Sequence, residues 1–355
     1  MKLLQKGLFG DISVSNRIFH APLTRTRADR DNVPGDLMAT YYAQRASAGL
    51  LLAEATMVSN GTQTWLQQPG VHNAAQVAGW RKVTDAVHAK GGRIMLQIWH
   101  PGRATHSAIS GAEVVAPTDK AIMGSEIHTP AGKQAYPAPR RLRTDEIPAI
   151  VESFRRAFEN AKVAGFDGVQ VHGANGYLID EFLRDGANDR SDAYGGSIEN
   201  RVRFLLEIVD AAIAVWGAGR VGLRISPVVA VNDVTDSDPV ALTAYVAQQA
   251  AKRGLSHLEI RHGQHDAPQE LAVAQAAREH MKQGLVLNGG FTRESGEATL
   301  ASGLADAIAY GKAFLANPDL PARFERNAVL NAVDMAHLYT TESPQGYIDY
   351  PSLAV

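Results

Sequence analysis

The chain has 355 residues, of which 45% are hydrophobic and 20% charged, the composition of an ordinary globular protein. Its 35 Lys and Arg residues nearly balance 37 Asp and Glu, so the net charge of −2 gives no reason to expect nucleic acid or a membrane surface as a partner. With zero cysteines, disulfides, thiolate metal sites and thiol nucleophiles are excluded, and we expect a soluble cytoplasmic protein, either a monomer or a homodimer.

Short runs rich in Val, Ile and Leu alternate along the chain with amphipathic segments of helical length, which predicts alternating strands and helices. The predicted strands are Arg17–Pro22, Gly49–Val58, Arg93–Trp99, Asp167–His172, Val221–Ser226, His257–Arg261, Leu285–Gly289 and Ala305–Tyr310. The predicted helices are Asp36–Ala48, Ala74–Lys90, Thr144–Ala164, Ser197–Trp216, Asp238–Arg253, Pro268–Met281, Thr292–Ser302 and Pro318–Asn327. Three of these helices start at a side chain suited to an N-cap, namely Thr144, Ser197 and Thr292.

Eight strand–helix pairs predict an α/β fold, a (β/α)8 TIM barrel with an N-terminal capping segment and a long flap after strand 3. The flap, about residues 100–143, has no helical period, but Ile122, Met123 and Ile127 give it apolar side chains to bury, so we expect a hairpin over the barrel mouth. No linker composition divides the chain. We therefore expect a single domain, residues 1–355, that ends in a tail of about residues 328–355.

Glycine-containing loops follow the seventh and eighth predicted strands, at Asn288-Gly289-Gly290 and at Gly311-Lys312. TIM barrels often bind phosphate there. Glycines let backbone N–H groups approach an anion, and a helix that begins at Thr292 directs its positive end to the same place. Either loop alone would be an ordinary turn, but together they predict a phosphate-bearing ligand. The formal G-x-G-x-x-G match at residues 217–222 lies between a helix and a strand, the reverse of the dinucleotide fingerprint, and is interpreted as a turn.

The segment with the most chemical content follows the fourth predicted strand, which ends at His172. Asn175 and Tyr177 come within the next five residues. Two hydrogen-bonding groups and a candidate proton donor therefore emerge together at the carboxyl end of a strand, where TIM barrels carry their chemistry.

This segment resembles the signature of the old yellow enzyme family, the flavin-dependent alkene reductases. The resemblance extends over nearly the whole chain and includes Ala21-Pro-Leu-Thr-Arg25, Gln97-Ile-Trp-His100 and Gly222-Leu-Arg-Ile-Ser-Pro227. It implies a barrel that binds one FMN non-covalently and receives hydride from NAD(P)H. The cofactor-binding residues that the resemblance implies are Pro22, Leu23, Thr24, Ala55, Gln97, His172, Arg224, Asn288, Gly289, Gly290, Gly311 and Lys312. The family usually has arginine at the position of Lys312, so we expect FMN to be retained but bound less tightly.

The resemblance also implies catalytic roles. His172 and Asn175 resemble the pair that binds the oxygen of an activated alkene, and Tyr177 resembles the general acid that protonates its α-carbon. The residues that resemble pocket walls are Trp65, Trp99 and Tyr339. The implied reaction is the reduction of an enone, enal, maleimide or nitroalkene, with hydride added at the β-carbon.

Two alternatives stay open. The first, within the same family, is reduction of nitro groups, nitrate esters or quinones, which need hydride but depend less on Tyr177. The second is a barrel that binds a phosphorylated metabolite without redox chemistry. No metal is expected, and His262 and His265 are interpreted as rim residues.

Overall fold

The structure is a computed structural model that describes residues 1–353; the last two residues of the predicted tail lie outside this range. Its strands are β1 (Gly7–Phe9), β2 (Ile12–Val14), β3 (Ile18–His20), β4 (Leu50–Met57), β5 (Ile94–Trp99), β6 (Val115–Ala116), β7 (Glu126–Thr129), β8 (Gly132–Ala135), β9 (Arg140–Arg141), β10 (Gly168–Gly173), β11 (Val221–Ile225), β12 (His257–Arg261), β13 (Leu285–Asn288) and β14 (Ala307–Tyr310). The α-helices are α1 (Asp36–Gln44), α2 (Ala74–His88), α3 (Ser107–Ser110), α4 (Ile147–Val163), α5 (Leu178–Leu183), α6 (Ile198–Trp216), α7 (Pro239–Arg253), α8 (Pro268–His280), α9 (Arg293–Ala301), α10 (Lys312–Ala316) and α11 (Leu320–Arg326). Four 3₁₀ turns complete the described elements, at Lys2–Leu4, Thr144–Glu146, Ala218–Arg220 and Met335–His337.

Eight parallel strands close into a barrel in the order β3, β4, β5, β10, β11, β12, β13, β14, and β14 pairs back with β3. Each predicted strand and each predicted helix is present, with ends that differ by a few residues, so the predicted (β/α)8 fold is confirmed. Parallel strands buried on both faces read as continuous apolar runs, which is why the sequence located them. Among the described residues, no helix combines the length and the apolar character needed to cross a bilayer.

The N-terminal segment closes one end of the barrel. Strands β1 and β2 form a hairpin whose Phe9, Ile12 and Val14 pack against apolar side chains of the barrel strands. The Phe9 and Phe19 rings meet edge to face with centroids 4.9 Å apart. The backbone N–H of Asp11 donates to the Gly219 carbonyl at 2.9 Å, just before β11 begins. Since the hairpin covers the amino ends of the strands, the carboxyl ends are left for a site.

Some local predictions are wrong. Thr144 is not a helix N-cap, because a 3₁₀ turn begins there and the Thr144 hydroxyl donates instead to the Asp192 carboxylate. The predicted caps Ser197 and Thr292 are confirmed: their hydroxyls accept from backbone N–H groups of residues three positions later, at 3.4 and 3.1 Å. The turn interpretation of residues 217–222 is also confirmed, since Gly217 ends α6 at φ 76° and β11 follows.

The flap contains the expected hairpin, β7 paired with β8, and a second small pairing of β6 with β9. Ile122 and Ile127 are buried, as expected, but Met123 is 73% exposed.

Candidate active site

A cavity of about 610 Å³ opens where the carboxyl ends of the barrel strands meet. That volume lies within the range of about 300–1,000 Å³ usual for ligand pockets. Most of the residues singled out in the sequence lie in its wall: Pro22, Leu23, Thr24, Trp65, Asn175, Tyr177, Arg224, Asn288, Gly289, Gly290, Gly311, Lys312 and Tyr339. The Trp65 and Tyr339 rings stack on each other with centroids 5.3 Å apart, so they form one aromatic surface of the wall.

Four of the predicted residues do not contribute to this wall: Ala55, Gln97, Trp99 and His172. All four are buried. The Trp99 and His172 rings contact the Tyr177 ring edge to face, with centroid distances of 4.2 and 5.3 Å. They therefore hold the ring of a wall residue in place.

The loop after β10 presents Asn175 and Tyr177 through an unusual backbone. Asn175 has φ 59°, a left-handed conformation that asparagine adopts more readily than most residues. Its N–H donates to the Ser226 hydroxyl at 2.7 Å, and its carbonyl accepts from Asn232 Nδ2 at 2.9 Å. Gly176 follows with φ 69°, and a Cβ there would lie 2.3 Å from the Val231 carbonyl oxygen. The loop is therefore pinned between β11 and the segment after it.

His172 is neutral and its tautomer is determined. Burial, reinforced by the Arg224 guanidinium, lowers the pKa of His172 well below its ordinary value. Its Nδ1 accepts from the Ala174 backbone N–H at 3.2 Å, so the single ring proton is on Nε2. His172 is therefore a hydrogen-bond donor through Nε2.

Asn175 supplies a second polar group. Its Oδ1 is buried and has no hydrogen-bond partner among residues 1–353. Both hydrogen bonds of Asn175 are made by its backbone, so within residues 1–353 its Nδ2 donor is also free for a ligand. Tyr177 completes the group, since burial raises the pKa of its phenol above the ordinary value and keeps the proton on it at neutral pH.

The loops after β13 and β14 have the geometry of an anion site. Gly289 has φ 120°, and a Cβ there would lie 2.2 Å from the His262 carbonyl oxygen, so only glycine fits. Gly290 has φ 72° and leads into α9, whose N-cap is Thr292. Lys312 begins α10 on the facing loop and is exposed.

Arg261 and Phe291 are among the wall residues that were not predicted as ligand contacts, and His262 was expected only at the rim. Arg261 ends β12, and its NH1 is buried without a partner in residues 1–353, as is Nε2 of His262. The His262 Nδ1 lies 2.6 Å from a Glu270 carboxylate oxygen. Arg261 could have been predicted from the two-residue period of side chains along β12. Residues two positions apart on a strand point to the same side, so Arg261 lies on the same side as Glu259.

The wall suits the FMN that the sequence resemblance implies. Its charged residues are the cations Arg224, Arg261 and Lys312, and no Asp or Glu lines it. The unpartnered nitrogen of Arg261 and the glycine turn at Gly289 are what a phosphate-bearing ligand would engage. The wall would hold the phosphate at the β13 and β14 loops and the ring system toward Thr24 and Arg224.

Comparison with known proteins gives consistent matches. Residues 7–331 match the model of the NADH:flavin oxidoreductase / NADH oxidase family. The chain is 45% identical to 12-oxophytodienoate reductase 1 of Oryza sativa subsp. japonica, over 99% of this chain and 93% of that protein. It is also 45% identical to a probable flavin mononucleotide-dependent alkene reductase of Leishmania infantum, over 98% and 97% of the two chains.

Solved structures give the same result. The old yellow enzyme homologue from Zymomonas mobilis superposes with a TM-score of 0.96 at 43% identity, over 99% of this chain and 100% of that one. Morphinone reductase in complex with tetrahydroNAD superposes with a TM-score of 0.95 at 43% identity, over 100% and 98% of the chains.

Proposed function

Because the chain belongs to the NADH:flavin oxidoreductase / NADH oxidase family, which is the old yellow enzyme family, we propose that it reduces electron-poor alkenes. It is an FMN-dependent oxidoreductase with a nicotinamide dinucleotide as hydride donor. We further propose that residues 1–355 form one FMN-binding domain and that the substrate is an enone, enal, maleimide or nitroalkene.

The residues of the cavity wall would hold FMN, which would supply the redox chemistry that carries hydride from NAD(P)H to the β-carbon of the alkene. His172 and Asn175 bind the substrate's activating oxygen through the Nε2–H and the Nδ2–H groups. Both donors withdraw electron density from the conjugated double bond and stabilise the negative charge that develops on the oxygen. Tyr177 donates its phenolic proton to the α-carbon, which completes net addition of hydrogen.

One observation carries this proposal: the tautomer of His172. The Ala174 N–H occupies Nδ1 and leaves Nε2–H as a donor, on a ring that contacts the ring of Tyr177. An oxygen-binding donor and a proton source in contact are what the second half of the reaction requires.

The test is the colour of the purified protein. We expect a yellow protein whose flavin band bleaches on addition of NADPH without oxygen and returns on addition of cyclohexenone. A protein that stays colourless after incubation with FMN would contradict the proposal. So would a bleached band that cyclohexenone fails to restore.

Replacement of Lys312 by arginine should tighten FMN binding. A guanidinium binds phosphate with two parallel hydrogen bonds where an ammonium acts as a point charge, so we expect the dissociation constant to fall by up to about tenfold. Fluorescence titration of the apoprotein with FMN measures this. Lys282→Arg, at an exposed position away from the cavity, is the matched control. Equal affinity of Lys312→Arg and the unaltered protein would remove the idea that lysine weakens the site.

A cytoplasmic location stays a prediction, supported by the lack of cysteine in 355 residues.

A further inference from the structure

Beneath the cavity, the barrel interior contains a chain of hydrogen-bonded polar side chains where TIM barrels usually pack Val, Ile and Leu. Gln97 on β5 is joined to Gln170 on β10, and Gln170 is joined to both His257 and Glu259 on β12. All four side chains are buried. Contacts between β10 and β12 pass over β11, which lies between them, so these side chains cross the barrel interior.

A missing side chain on β11 makes the crossing possible. Gly222 is in register with Gln170 on one side and His257 on the other. A Cβ on Gly222 would lie 2.1 Å from the His257 ring, so any larger residue would displace the imidazole. The sequence thus leaves space for the polar chain.

Glu259 is the one carboxylate among these hydrogen-bonded side chains, and each of its two oxygens accepts a hydrogen bond. Oε1 accepts from Arg224 Nε at 2.9 Å, and Oε2 accepts from Gln170 Nε2 at 2.8 Å. A carboxylate only accepts hydrogen bonds, so it dictates which end of the neighbouring amide faces it. Turning the Gln170 amide around would put its oxygen against a carboxylate oxygen, an unfavourable contact of two acceptors.

The Glu259 carboxylate therefore also fixes the donor and the acceptor of every other hydrogen bond between these buried side chains. Gln170 uses the second proton of Nε2 for His257 Nε2, at 3.0 Å. His257 is neutral, since burial lowers its pKa to about 4, and its remaining proton on Nδ1 goes to the Ser256 hydroxyl at 3.0 Å. The Gln170 oxygen then has to accept, and Gln97 Nε2 donates to it at 2.8 Å. The Gln97 amide therefore has one orientation, with Oε1 unoccupied by any hydrogen bond within residues 1–353.

Glu259 fixes a second group as well. Through its Oε1 it holds Arg224, whose NH2 donates to Asn288 Oδ1 at 2.9 Å. Asn288 Nδ2 in turn donates to the Ala309 carbonyl at 2.7 Å. One buried carboxylate thus determines how Gln97, Arg224 and Asn288 are presented at the top of the barrel.

We propose that Glu259 is a positioning residue that acts through Gln170 to hold the Gln97 amide with its oxygen toward the flavin. This rests on the proposed function, and it places the pyrimidine edge of the flavin over Gln97 and Arg224. The edge carries one N–H donor, N3–H, between two carbonyl acceptors, so a fixed amide oxygen and a fixed guanidinium match it in kind. Glu259 does not itself reach the cavity, whose wall contains no acidic residue.

The experiment uses the whole protein loaded with ¹⁵N-labelled FMN and measures the N3–H proton by NMR. In the unaltered protein this proton should resonate downfield and exchange slowly with water. In Glu259→Gln the single amide oxygen stays on the Arg224 guanidinium, which can only donate, so the new N–H₂ group faces Gln170 and the Gln170 and Gln97 amides turn around. We expect the signal to move upfield and its exchange with water to accelerate about tenfold, the loss of roughly one hydrogen bond.

Gln170→Met is the second variant, because it breaks the relay but leaves the ion pair of Glu259 with Arg224 intact. Gln170→Met should reproduce the change at N3–H, and it tests the proposal by itself if Glu259→Gln does not fold. Ser256→Ala is the matched control at the far end of the chain, where the proposal predicts an unchanged signal because Glu259 alone sets the direction.

An N3–H signal that is the same in both folded variants and in the unaltered protein would overturn the proposal. In that case FMN binding and bleaching by NADPH would still support the proposed function. An unaltered protein that fails to bind FMN would overturn both.

Discussion

Tyr177→Phe is expected to slow alkene reduction by roughly 10²–10⁴-fold, the usual contribution of a positioned general acid. Reduction of the FMN by NAD(P)H should stay near its normal rate, because that half of the cycle needs no proton for the α-carbon. The ring contacts with Trp99 and His172 do not involve the hydroxyl, so the variant should fold and bind FMN normally. Stopped-flow absorbance of the flavin band measures the two half-reactions separately.

The choice of acceptor sharpens this test. Quinones and nitro compounds need hydride but not protonation at carbon, so their reduction should be much less affected in Tyr177→Phe. Tyr245→Phe, on α7 away from the cavity, controls for loss of a hydroxyl elsewhere. A Tyr177→Phe enzyme that reduces cyclohexenone at the normal rate would assign the proton to another group or to water.

The fold was predictable because its strands are buried on both faces and its helices are long enough to show a period. The helices and strands that the sequence did not predict are short. Helix α5, Leu178–Leu183, has six residues, too few for a helical pattern to emerge from one turn and a half. The hairpin strands β1 and β2 have three residues each and were expected only as a capping segment.

The site was predictable only in part, for a different reason. Residues such as Asn175 and Tyr177 follow a strand end and are recognisable from their position in the chain. The partners beneath them are not, because Gln170, His257 and Glu259 meet only when the barrel closes. Their polar character inside an apolar strand was the available signal. Its meaning depends on register, which places Gly222 between them, and register is not visible in one sequence.

The left-handed turn at Asn175 was predictable as a turn, but the contacts that hold it were not. Asparagine followed by glycine indicates a turn, but the sequence does not show that Ser226 and Asn232 hold it from two sides. These bonds fix the backbone that carries the Asn175 side chain before substrate arrives. Such preorganisation is what makes a hydrogen-bond donor effective in stabilising developing charge.

His172→Ala is expected to weaken binding of phenols and enones alike and to lower kcat/KM for enones by roughly 10²–10³-fold, the effect of removing one donor to a developing oxyanion. The donor is Nε2–H, since Nδ1 is occupied by the Ala174 N–H. Titration with a para-substituted phenol, followed by flavin absorbance, measures binding without turnover. The bound flavin per protein chain has to be measured too, because the sequence resemblance also places His172 next to FMN.

Loss of the imidazole also leaves a hole beside Tyr177 and Trp99, whose rings it contacts, so the melting temperature of His172→Ala should fall. His172→Gln separates the two effects. Its amide fills part of the hole and carries an N–H donor, so it should recover part of the phenol affinity, whereas His172→Leu fills the hole without a donor and should not. If leucine restores phenol and enone binding as well as glutamine does, then His172 acts by supporting Tyr177 and the substrate oxygen takes its hydrogen bonds from Asn175 alone.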